Sequence, residues 1–268
     1  MKLIDAHIHL EMYETVEQEQ LLARLHESGV DGLIAVSMHL DSCKRTAALA
    51  DRFPGVVHPA YGFHPEQELP GDSEREQLLA WIRRHADQMV AVGEVGLPYY
   101  RRHEAMERGE EVALGGYIDL LEQFVLLAKE LNKPIVLHAV YEDATIACDL
   151  LEKHGVTQAH FHWYKGPAET TERMIRNEYM ISLTPDVCYE PDIQELARRY
   201  PLSLLMTETD GPWPFEGPFA GRPTTPSLLH DVVAKVAELK SQSVEHTAHQ
   251  LYRNAVGFYH IHTSQRFG

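Results

Sequence analysis

At 268 residues with 44% hydrophobic composition, the chain is long enough to bury a large core, as one big α/β domain or two small ones. The formal net charge of −16 sets up an acidic field that repels polyanions at long range. This argues against stable, nonspecific binding of duplex DNA, although it does not forbid a phosphate in a locally positive site. No apolar run approaches the ~18 residues of a membrane span, and the N-terminus enters a strand without a basic and then apolar leader. A cytoplasmic protein with no membrane partner is expected.

Apolar, β-branched runs alternate with amphipathic stretches along the chain. Predicted strands cover Leu3–Leu10, Gly32–Met38, Val57–His64, Met89–Leu97, Pro134–Val140, Ala159–Trp163, Tyr179–Thr184 and Leu202–Thr209. Predicted helices lie between them, near 16–28, 41–53, 73–86, 117–131, 142–154, 168–177, 191–199 and 226–240. Eight such repeats imply a TIM-type (β/α)8 barrel, distorted, forming a single domain over 1–268. A last amphipathic stretch, 243–260, predicts an extra C-terminal helix. Ser73 and Glu76 have the spacing of a capping box, and Leu120, Leu121, Phe124, Leu127, Ala128 and Leu131 form a helical core stripe. Two segments, 99–116 and 211–226, read as irregular loops over the carboxyl end of the barrel, where substrate contacts are made. Cys43, Cys148 and Cys188 are widely separated and odd in number, so structural thiols are expected in place of a disulfide framework.

The chemistry concentrates at the strand ends. His7 and His9 stand at i and i+2 of the first strand, which projects both imidazoles to one face about 6 to 7 Å apart. His64, Glu94, His138, His162 and Asp210 each sit where a later strand gives way to a loop. On a barrel these positions meet at one rim. Imidazole and carboxylate suit borderline divalent ions, and a carboxylate can bridge two of them, so His7, His9, Glu94, His138, His162 and Asp210 suffice for a two-metal site. Such a pair can lower the pKa of a water and hold both the attacking and the leaving oxygen of a displacement. Zinc, manganese, iron, cobalt, nickel and magnesium all remain open as the metal.

The His-X-His opening, GFHP, GEVGL, IVLH, FHWYKG and TETDGP, in this order along nearly the whole chain, resemble the TatD family of metal-dependent hydrolases, a branch of the amidohydrolase superfamily. The resemblance implies a TIM-type barrel, two divalent ions and, in several members, deoxyribonuclease activity at DNA ends. It also implies that His7, His9 and Asp210 hold one ion, that His138 and His162 hold the other, and that Glu94 bridges them. Asp210 would take the proton from the attacking water. His64 matches a histidine facing the substrate phosphate, or equally a hydrogen-bonded residue behind the ligands. His160 and Asn254 read as structural, and Glu208 as a carboxylate that orients the ligands.

Three departures stand out. Pro98 replaces the aspartate that usually follows GEIGL, Val140 stands where an arginine usually follows the strand-five histidine, and Arg222-Pro223 stands where Arg-Asn is usual. Loss of the arginine removes a bidentate phosphate donor. Lys165, Arg222 and His64 are then the candidates for holding a phosphate, with a solvated loop charge as the alternative for Arg222.

The reading is a two-metal hydrolase acting on a small phosphoester or a nucleic-acid end. A lactonase, esterase or amidohydrolase built on the same site is the runner-up, and a non-catalytic metal-binding scaffold is the third alternative. The oligomeric state is left open.

Overall fold

The computed structural model describes residues 1–261. Eight parallel strands follow one another in sheet order: β1 (Leu3–Ile8), β2 (Val30–Ala35), β3 (Val57–Phe63), β4 (Ala91–Gly96), β5 (Ile135–His138), β6 (Ala159–Phe161), β7 (Met180–Leu183) and β8 (Leu205–Thr207). Helices α1 (Thr15–Arg24), α2 (Leu40–Arg52) and α3 (Asp72–Arg84) link the first four strands. Two helices, α4 (Tyr99–Glu107) and α5 (Leu114–Leu131), separate β4 from β5. Helices α6 (Asp143–His154), α7 (Ala168–Arg176) and α8 (Pro191–Arg199) link the remaining strands, and α9 (Leu229–Lys240) and α10 (Val244–Phe258) follow β8. This is the distorted TIM-type barrel with an added C-terminal helix. The end of the expected 1–268 domain, residues 262–268, lies outside the described residues.

The barrel is nearly closed. The Asp210 N–H donates to the His7 carbonyl at 3.0 Å, and the His9 N–H donates to the Gly211 carbonyl at 2.8 Å, joining the end of β1 to the segment after β8. Strands buried on both faces account for the near-continuous apolar runs. One apolar cluster lies between sheet and helices. A second takes Ile4 and Ala6 from β1, Ala60 from β3, Ala91 from β4, Val136 from β5, Met180 from β7 and Met206 from β8, and so fills the lumen. Ala255 and Tyr259 pack against this lumenal cluster, which sets α10 across the amino-terminal mouth. Asn254 fixes α10 there, its Nδ2 donating to the carbonyls of Leu202 and Leu205 at 2.8 and 2.7 Å. The carboxyl-terminal mouth is left for the site.

The structure corrects several boundaries. The α3 cap is Gly71, whose N–H donates to Glu74 Oε2 at 3.1 Å, so Ser73 and Glu76 are not the capping pair. Residues 99–116 are not all loop, since α4 occupies their first half and α5 begins at Leu114. Helix α1 ends earlier than expected, before Gly29, which takes a φ of +69° to turn the chain into β2. Leu202–Leu204 is a short 3-10 turn that precedes β8. All three cysteines are free thiols, Cys43 and Cys148 fully inside.

Candidate metal centre

The strands deliver their polar ends to one place. His7 and His9 come from β1, with ring centroids 5.3 Å apart. Glu94 lies in β4, His138 ends β5, His64 follows β3, His162 follows β6 and Asp210 follows β8. Asp210 has a φ of +49°, in the left-handed region that aspartate tolerates better than most residues. Each of these side chains is buried. Glycines let the strands close tightly around Glu94: a Cβ on Gly62 would lie 2.5 Å from the Glu94 carbonyl oxygen, and one on Gly96 would lie 1.9 Å from the His138 carbonyl oxygen.

The two oxygens of Glu94 face two different groups. Glu94 Oε2 lies 3.1 Å from His7 Nε2 and 3.2 Å from His9 Nε2, and each of these nitrogens is 3.4 Å from Asp210 Oδ1. Glu94 Oε1 lies 3.0 Å from His138 Nδ1 and 2.7 Å from His162 Nε2, and those two nitrogens are 3.2 Å apart. His64 Nε2 approaches the same oxygen at 3.4 Å. The structure thus brings together all six residues read as ligands in the sequence, and His64 with them.

Burial and charge pull against one another here. Burial pushes the Glu94 carboxyl up, but His162, His64 and His7 hold it well below the usual carboxylate range. Burial lowers His7. It also opposes protonation of His9, which the Asp210 and Glu94 carboxylates nevertheless raise to about 9. His7 Nε2, Glu94 Oε2 and Asp210 Oδ1 are buried with no hydrogen-bond partner among the described residues. Such groups are costly unless an electrophile satisfies them. Two clusters of nitrogen and oxygen donors converging on a shared carboxylate therefore fit two divalent ions.

Three carboxylates outside the ligand set support it, and two of them are invisible in the sequence reading. Asp5, inside β1, accepts the Thr209 N–H at 3.0 Å and the Thr209 hydroxyl at 2.5 Å, fixing the backbone just before Asp210. Burial pushes its carboxyl up to about 8. An acid in the middle of an otherwise apolar strand was the available clue. Glu66, two residues beyond His64, reaches His138 Nε2 at 3.1 Å. Glu208 is the expected orienting carboxylate: it accepts the Trp163 N–H at 2.7 Å and the Ser182 hydroxyl at 2.6 Å, and its Oε1 stands 3.8 Å from His162 Nδ1. His160 is buried one layer deeper, bonded to the Tyr259 hydroxyl at 2.6 Å and the Ser182 hydroxyl at 2.5 Å.

The expected phosphate contacts are placed differently from one another. Lys165 Nζ is engaged, 3.5 Å from Asp186 Oδ2 and 5.1 Å from the centroid of the Trp163 ring. Arg222 is exposed, its guanidinium over Phe219. Val140 is buried, so no side chain there reaches toward a ligand as an arginine could. Aromatic rings line this side of the mouth. Tyr99 and Tyr141 have centroids 4.6 Å apart, and Tyr100 lies 6.1 Å from the His138 ring.

Comparison with known proteins agrees with this architecture. The TatD related DNase family model matches residues 4–260. An uncharacterized metal-dependent hydrolase of Haemophilus influenzae is 38% identical over 259 residues, covering 97% of this chain and 100% of its own length. The 3'-5' ssDNA/RNA exonuclease TatD of a Pantoea strain is 29% identical over 256 residues, covering 89% of this chain and 94% of that protein. The crystal structure of YjjV, a TatD homolog from Escherichia coli, superposes with a TM-score of 0.84 at 26% identity, over 97% of this chain and 98% of that one. With one family model spanning the barrel and a relative 38% identical over nearly the whole chain, the chain belongs to the TatD-related family of metal-dependent hydrolases.

Proposed function

We propose that this hydrolase cleaves phosphodiester bonds at the ends of single-stranded nucleic acid or in small phosphoesters. The observation that carries this reading is the division of Glu94, one oxygen toward His7, His9 and Asp210, the other toward His138 and His162. In this reading the first three residues hold one ion, His138 and His162 hold the second, and Glu94 fixes their spacing. When bound, the ions supply an acidified water and charge stabilisation for the attacking and leaving oxygens. Asp210, whose Oδ1 lies beside both β1 histidines, would be placed to accept a proton from an attacking water. His64, on the Oε1 side of Glu94, faces the substrate phosphate.

The likeness to the 3'-5' ssDNA/RNA exonuclease of the Pantoea strain supports a nucleic-acid end as substrate. Charge supports a short or single-stranded one. The chain carries −16, and Lys165, Arg101 and Arg102 are each ion-paired to a carboxylate of the protein, leaving little to grip a long duplex. The buried Val140 at the position of the usual arginine favours a second reading, hydrolysis of a lactone, ester or amide. A metal-reconstituted panel of end-labelled single strands, duplexes, small phosphodiesters and lactones separates the two. Turnover of single strands above duplexes supports the proposal, and turnover of lactones alone refutes it.

A further inference from the structure

His138 differs from its neighbours in the group that holds its outer nitrogen. The Nδ1 atoms of His7 and His9 are buried with no hydrogen-bond partner among the described residues, and that of His162 stands 3.8 Å from Glu208 Oε1, beyond hydrogen-bond distance. His138 turns Nδ1 toward Glu94 and His162, and its Nε2 lies 3.1 Å from Glu66 Oε1. The same carboxylate caps a helix. Glu66 Oε1 accepts the Tyr100 N–H at 2.9 Å, and Oε2 accepts the Arg101 N–H at 2.7 Å, at the first turn of α4. One side chain, only 16% exposed, therefore joins a residue of the metal centre to the helix that carries Tyr100 beside the mouth.

We infer that Glu66 is the positioning residue for His138 and couples ion binding at the His138–His162 side to the seating of α4. The inference rests on the assignment of His138 as a ligand proposed above. A neutral imidazole has one N–H, and a carboxylate against Nε2 selects the tautomer that keeps the proton there. The Nδ1 lone pair is then free to face the ion, and the negative partner raises its basicity. In the other tautomer, Nδ1 would direct a proton at the space between Glu94 and His162. The exposed amides of the α4 N-terminus stabilise the Glu66 charge in turn. Because all three contacts share one carboxylate, ordering of His138 by an ion holds Glu66 in the geometry that α4 needs. By reciprocity, α4 seated on Glu66 favours the ion.

The test is titration of zinc into the chelator-stripped full-length protein against a chromophoric competitor. It uses the wild type, Glu66→Gln, Glu66→Ala, His138→Ala and the double variant Glu66→Ala/His138→Ala. Glutamine keeps the size of the side chain but cannot accept from both amides and from His138, so it controls for simple loss of packing. The expected result is two ions in the wild type and about 10- to 100-fold weaker binding of one of them in both Glu66 variants, the other unchanged. The double variant should bind no more weakly than His138→Ala, because the two residues act through the same contact. Hydrogen exchange of the peptide bearing Tyr100 and Arg101 should slow on zinc addition in the wild type and stay unchanged in Glu66→Ala. Wild-type affinity for both ions in the Glu66 variants, or losses that add in the double variant, would overturn the inference. If His138→Ala itself kept both ions at wild-type affinity, the ligand assignment would fall, and this coupling with it.

Discussion

Gly96→Ala tests how closely the strands must approach for the centre to form. Gly96 pairs with His138 across β4 and β5, and the next amide, Leu97 N–H, donates to the His138 carbonyl at 3.0 Å. An added Cβ would sit 1.9 Å from that oxygen, 2.6 Å from the carbonyl carbon and 3.0 Å from the His138 Cα. All three are backbone atoms, so no side chain can swing aside. Non-bonded contacts settle near ~3.5 Å, and the strands must part by more than ~1 Å. Overpacking of this kind costs about 1–3 kcal/mol, and the weakened Leu97 hydrogen bond adds about 0.5–1.5 kcal/mol. At roughly 2–4 °C per kcal/mol for a chain near this size, Tm of the metal-stripped protein should fall by about 3–18 °C.

Displacing His138 by ~1 Å should also reduce kcat/KM by on the order of 100-fold in the metal-loaded enzyme. Gly257→Ala is the matched control, because it lies in α10 with nothing within 4 Å of the added carbon. It should gain about 0.5–1 kcal/mol and leave activity alone. Thermal unfolding by circular dichroism reads both variants. A Gly96→Ala protein melting within 2 °C of wild type, with undiminished activity, would refute the argument from close approach.

Three further outcomes are expected. Asp210→Asn should lower kcat by on the order of 100-fold or more with an unchanged circular dichroism spectrum, since an amide accepts a proton poorly; retention of about a tenth of kcat would remove Asp210 as the proton acceptor. Stripping the ions should lower Tm, and zinc at a thousandfold over its Kd should restore about 4 kcal/mol per occupied site, measured by scanning calorimetry; a Tm indifferent to zinc would contradict a folded-state site. Burial holds His58 down at about 4, so the fold favours its neutral form: that contribution is complete above pH ~6.5 and is lost as pH falls toward ~4, by at most roughly 3 kcal/mol. His58→Gln should therefore gain on the wild type in Tm as pH drops from 7 to 4.5, and a Tm difference flat across that range would count against it.

What the sequence revealed, and what it hid, follows from range. The alternation of strands is a period-2 pattern read over a few residues, and a polar residue closing an apolar run marks the carboxyl end of a strand by itself. His138, His162 and Asp210 were legible for that reason, His7 and His9 by their i, i+2 spacing, whereas Glu94, expected at a strand end, lies inside β4 and was legible as the one acid in an apolar run. Glu66 was not, because its meaning depends on a helix that starts at Tyr99 and on His138, both distant in sequence. Helix α4 was itself obscured, since Ala105 is its one buried residue and leaves no apolar stripe to read. In Gly-Asp-Ser-Glu-Arg-Glu several acids and a hydroxyl offer more than one capping register, and the chain uses Gly71 with Glu74. Lys165 was read as a free cation because nothing local announces Asp186, which β7 delivers beside it.

In the proposed centre two ions would sit on either side of the Glu94 carboxylate. Anomalous diffraction at the zinc edge from crystals grown with zinc tests it directly. Two peaks per chain are expected, one among His7, His9 and Asp210 and one between His138 and His162, with an oxygen of Glu94 against each. A single peak, or zinc bound away from Glu94, would contradict the account.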